Sequence, residues 1–85
     1  MSLKDWMVET LTRELEPIAL RVEDESHQHA GHAGWREGGG THWRIRIDAP
    51  ALAAMSRVQR HRAIHAALGS DLIGRIHALA IEAGG

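Results

Sequence analysis

His42-Trp43-Arg44-Ile45-Arg46-Ile47-Asp48 is the stretch on which the fold turns. Trp43, Ile45 and Ile47 alternate with His42, Arg44 and Arg46, and a period of two marks a strand with one face inward and one outward. Pro50 ends it, since proline has no N–H to give to a ladder. Upstream, Ile18 to Glu23 alternates likewise, with Ile18, Leu20 and Val22 on one face and Arg21 and Glu23 on the other. Downstream, Arg75 to Glu82 is an apolar run of strand length. What joins the strands sets their direction. The first two are joined by a loop, which predicts an antiparallel pair. The second and third are joined by helical sequence, which predicts a parallel, right-handed return.

The helices are read from periodicity and caps. Ser2 to Glu16 predicts a helix: Ser2 caps it, Asp5 completes a capping-box-like pair, and Leu3, Trp6, Met7, Leu11 and Leu15 form one stripe. Pro17 disfavours helical geometry at Glu16 and stops it there. Ala51 to Met55 is expected to make one short turn. Ser56 then caps a helix to about Ile73, with Val58, Ile64, Leu68 and Leu72 toward the core. Gly69 weakens that helix by roughly 1 kcal/mol relative to alanine, so a kink or fraying is expected there. The 85 residues therefore predict a single α/β domain over 1–85, ordered α-β-β-α-α-β, with helices covering one face of a three-stranded mixed sheet.

Residues 24–41 follow no hydrophobic period. Charge, then histidine, then Gly38-Gly39-Gly40 predict a long mobile loop. Parallel strands start at a common sheet edge, and this loop enters the second strand there. His77, near the start of the third strand, is thus expected to approach His42 and the loop histidines.

Composition narrows the chemistry. Ten Lys and Arg against eleven Asp and Glu give a net charge of −1, so no global field favours nucleic acid. Seven histidines would make the chain cationic on modest acidification. The absence of cysteine excludes disulfides, thiol catalysis and cysteine metal sites within this chain. The N-terminal residues lack the apolar run of a signal peptide, and nothing approaches the roughly 18 apolar residues of a membrane span. A cytoplasmic protein without membrane contact is expected.

Three stretches carry candidate chemistry. His27-Gln28-His29-Ala30-Gly31-His32, beside Asp24 and Glu25, has the imidazoles to hold Zn²⁺, Ni²⁺ or Cu²⁺, or is a polar loop that binds nothing. His77 shares its face with Leu79 and Ile81, as a ligand or as a partly buried histidine held by a carbonyl. Arg57, Arg60, His61, Arg62 and His65 give the long helix a basic face. The first four are the candidate nucleic-acid contacts, and the plainer reading is a solvated surface. No catalytic residue is expected. Ser26 and His29 sit in a glycine-rich loop without preorganisation, and the triple glycine lacks the lysine of a phosphate loop.

Val22-Glu23-Asp24-Glu25-Ser26, His29 and Thr41-His42-Trp43-Arg44-Ile45 resemble the first half of a BolA-like protein. Ser56-Arg57-Val58-Gln59-Arg60-His61-Arg62 and Ile76-His77-Ala78-Leu79-Ala80-Ile81 resemble the second half, so the resemblance covers essentially the whole chain. It implies a class II KH-like fold. It also implies a partner, a monothiol glutaredoxin, with which such proteins share a [2Fe–2S] cluster. The isolated protein would be a cluster-free monomer, and the complex a heterodimer. The implied ligands are the histidine of the final strand, here His77, and one from the loop, at the place of His29. His32 is a competitor for the second role. The glutaredoxin's cysteine and a glutathione thiolate would hold the other iron. Imidazole ligands suit a chain without thiols, raise the potential as in Rieske centres, and release iron when protonated. The function implied is iron–sulfur trafficking or iron and stress regulation. The alternative is a DNA-binding transcriptional regulator using the basic helix. The chain departs from the family at Leu52-Ala53-Ala54, where Phe-x-Gly is usual, and at Trp43, where phenylalanine is usual. His27, His32 and the 33–40 insertion with Trp35 are additions.

Overall fold

Ser2 and Ser56 each open a helix by the same device. In a computed structural model, which describes residues 2–26 and 42–84, Ser2 Oγ accepts from the Asp5 N–H at 3.0 Å and starts α1, Leu3–Leu15. Ahead of α2, Arg57–Leu68, Ser56 Oγ accepts from the Gln59 N–H at 3.2 Å. Gln59 Oε1 accepts from the Ser56 N–H at 2.8 Å, a complete capping box. Ser56→Ala should therefore cost about 1 kcal/mol. A thermal melt should show a midpoint lower by about 4–8 °C; an unchanged midpoint would mean the box contributes nothing.

The remaining elements are β1 (Ala19–Asp24), β2 (His42–Asp48), a single 3-10 turn at Pro50–Leu52, α3 (Ser70–Ile73) and β3 (Ala78–Gly84). β2 is central. It pairs antiparallel with β1 and parallel with β3, as the connections require. The helix expected to reach Ile73 divides at Gly69, whose φ of 86° ends α2 before α3 restarts. A side chain there would meet no atom within 4 Å, so the demand for glycine is purely conformational. At the end of α1, Glu16 takes a left-handed conformation (φ 46°) ahead of Pro17, which excludes it from the helix.

The core lies between the helices and one face of the sheet: Met7 and Leu11 from α1, Val22, Trp43, Ile45 and Ile47 from β1 and β2, Leu52, and Ile64, Leu68 and Leu72. Two expected members are absent. Val58 is 58% exposed, because six residues at about 100° each carry it about a third of a turn from Ile64. Ile18 is 73% exposed, lying just outside the ladder that opens with the Ala19–Asp48 pair. Most of the expected 24–41 loop, residues 27–41, lies outside the described residues. No helix among the described residues is long and apolar enough to cross a membrane.

Candidate functional site

Parallel pairing puts the starts of β2 and β3 at one edge, with His42 opposite Ala78. His77 sits one residue ahead of β3, and its ring centroid lies 5.4 Å from that of His42, tilted by 55°. The expected approach of these two histidines is what the structure contains. Their burial is not as alternation predicts. His42, expected outward, is 5% exposed, and its ring lies against that of His77. His77, grouped by alternation with Leu79 and Ile81, is exposed, because the ladder begins only at Ala78 and the pleat does not bind the residue before it.

The same edge gathers the two ends of the segment that carries the other candidate ligands. Asp24 Oδ1 accepts from the Ser26 N–H at 2.9 Å and from the Ser26 hydroxyl at 2.5 Å. Ser26 Oγ in turn accepts from the His42 N–H at 3.1 Å, and the Glu25 N–H donates to the His42 carbonyl at 2.8 Å. Ser26 is fully buried, and its proton is committed to Asp24, so its role here is to tie Asp24 to His42. The Asp-x-Ser spacing is the available sequence signal, since an aspartate readily accepts from the N–H two residues on. His27, His29 and His32 lie outside the described residues. No group of three or more His, Asp or Glu among the described residues is arranged to hold a metal, so an ion at His77 would draw its other donors from elsewhere.

The sheet's polar face is charge-paired. Arg44 Nε lies 3.0 Å from Glu25 Oε2 and its Nη1 3.2 Å from Glu82 Oε1, while Arg46 Nε lies 2.6 Å from Glu82 Oε2. The Glu25 hydrogen bond, then its charge, hold the Arg44 guanidinium above its ordinary pKa. Among the described residues, the arginines of this face, Arg21, Arg44 and Arg46, are each ion-paired. The basic helix divides in two. Arg60 spends its guanidinium on three carbonyls: Nε to Leu52 at 2.9 Å, Nη1 to Ala83 at 2.9 Å and Nη2 to Ala53 at 3.3 Å. Arg57 and Arg62 are exposed and His61 half-buried, and His61, Arg62 and His65 line a surface depression of about 410 Å³. The hydrogen bonds of Arg60 reach back across the turn before α2 and out to β3, so periodicity alone did not signal them.

The chain matches the BolA-like protein family model over residues 11–84. It is 46% identical over 83 residues to an uncharacterized protein in the cobS 5′ region of Sinorhizobium sp, covering 96% of this chain and 89% of that one. It is 43% identical over 77 residues to the chloroplastic protein BOLA1 of Arabidopsis thaliana, covering 88% of this chain but 48% of BOLA1, about half its length. The solved BolA domain of SufE1 from Arabidopsis thaliana superposes with a TM-score of 0.83 at 42% identity, over 99% of this chain and 92% of that domain.

Proposed function

Because the chain belongs to the BolA-like protein family, we propose that it is a non-enzymatic cytoplasmic adaptor that binds a monothiol glutaredoxin and shares a [2Fe–2S] cluster with it. The work it serves is iron–sulfur trafficking or iron and stress regulation. His77 supplies one imidazole and His29 the other, with His32 as competitor, while the glutaredoxin's cysteine and a glutathione thiolate hold the second iron. When bound, the cluster supplies a one-electron couple and an iron–sulfur cargo. The observation that carries this reading is His77, exposed at the edge where Ser26 and His42 bring together both ends of the histidine-bearing segment. The donor set fits, because imidazole ligates [2Fe–2S] iron and this chain has no cysteine to do so. Each ligand histidine must be neutral, so acidification should favour release.

Co-expression with a monothiol glutaredoxin, followed by the absorption spectrum of the purified complex, tests this. Visible absorption that needs both proteins and glutathione supports it; a colourless complex contradicts it. Among His27, His29 and His32, His29→Ala should shorten cluster lifetime most, His32→Ala less and His27→Ala least. The thermal midpoint of each apo-protein should match wild type, which assigns the losses to ligation. Loss in His32→Ala with retention in His29→Ala would move the ligand to His32.

One observation favours a second reading, a DNA-binding regulator. Arg57 and Arg62 stand exposed on α2, outside all ion pairs of the described residues. That reading requires salt-sensitive DNA binding by the isolated protein, with each arginine-to-alanine change lowering the salt slope by about one.

A further inference from the structure

We infer that His42 is a positioning residue for His77: the buried imidazole sets the orientation of the exposed one. The inference rests on the proposed ligand role of His77 and adds to it a residue that ligation alone does not require. His42 is fixed three ways. Its N–H is held by Ser26 Oγ at 3.1 Å, its carbonyl by the Glu25 N–H at 2.8 Å, and the residue as a whole is buried to all but 5%. His77 has little of this. It lies in a bend after the α3 turn, outside the ladder, and its side chain is exposed. The contact that restrains its ring is His42, at 5.4 Å between centroids.

The consequence is a matter of preorganisation. An exposed side chain that samples several rotamers must give up that freedom when it binds iron, and a neighbour that has already selected one rotamer reduces the loss. Groups that orient a metal-ligating histidine typically account for about 10–100-fold in metal affinity when removed. His42 does this with its ring, tilted 55° to that of His77, and the same strand that sets the edge of the sheet carries it. The arrangement also explains why the histidine stands on the polar side of β2 and is nevertheless buried.

The test reads His77 directly in the apo-protein. Three-bond couplings across the His77 χ1 torsion, measured on isotope-labelled chain, should report one dominant rotamer in wild type and in His42→Phe, which keeps a ring. They should report averaging in His42→Ala. In the complex with a monothiol glutaredoxin and glutathione, His42→Ala should lose the cluster about tenfold faster, and His42→Phe at close to the wild-type rate. Averaged couplings in wild type would overturn the inference, and that measurement needs no variant to fold. Unchanged couplings in His42→Ala would overturn it too. So would His42→Phe failing to hold the cluster with its His77 rotamer intact, since His42 would then be a ligand itself. Failure of wild type to assemble a cluster would sink the proposed function alone, leaving the rotamer result to decide this point.

Discussion

His77→Ala should abolish the cluster shared with a monothiol glutaredoxin while leaving the apo fold where it was. The side chain is exposed, lies ahead of the β3 ladder and is not among the residues that fill the core. Removing it should change stability by no more than the about 0.5 kcal/mol typical of a surface site. Its loss to ligation would be far larger, because the chain has no thiol to take its place. Co-purification of the variant with glutaredoxin separates the two effects. A colourless complex with an apo midpoint near wild type is the expected result. Wild-type absorption in the variant would remove His77 from the ligand set.

Arg60→Ala should produce the largest loss of stability among the basic residues of α2. Its guanidinium bonds the carbonyls of Leu52, Ala53 and Ala83, which ties α2 to the 3-10 turn and to the outer edge of β3. A charged donor and the carbonyls it leaves behind are each worth about 1–3 kcal/mol where water is excluded. The residue is only half-buried, so water recovers part of this and a net loss of about 3 kcal/mol is expected. At about 4–8 °C per kcal/mol for a domain of this size, the midpoint should fall by roughly 12–24 °C. Arg60→Lys should recover little, since an ammonium cannot reproduce the three-way fork. Arg57→Ala and Arg62→Ala should melt like wild type. Equal midpoints for all three alanine variants would show that the carbonyl clamp contributes nothing. The prediction also bears on DNA binding, because weakened binding by an Arg60 variant would reflect the clamp before any phosphate contact.

Much of this architecture is legible in the sequence because its first two strands are short and their apolar residues recur at every second position. Trp43, Ile45 and Ile47 point inward as their period requires, and the helical link between β2 and β3 forces the parallel pairing that places His42 near His77. The misreadings fall where periodicity stops being the controlling force. Val58 lies in the first turn of α2, where its six-residue spacing to Ile64 takes it off the stripe. His42 obeys the strand's parity and is still buried, because at a sheet edge a neighbouring loop residue can cover the polar face. Arg60 looks like one more surface cation until the 3-10 turn and β3 come to it in space. The Trp43 indole N–H, buried without a hydrogen bond, marks a place that asks for apolar bulk and not for a donor, in keeping with the phenylalanine usual there.

Electron–nuclear spectroscopy of the reduced complex reads whether histidines of this chain hold iron. The chain would be labelled with ¹⁵N-histidine, the glutaredoxin left unlabelled, and the complex assembled with glutathione. Two strongly coupled ¹⁵N nuclei from this chain are expected. A cluster that shows no histidine nitrogen coupling, ligated by thiolates alone, would remove His77 and His29 from the ligand set.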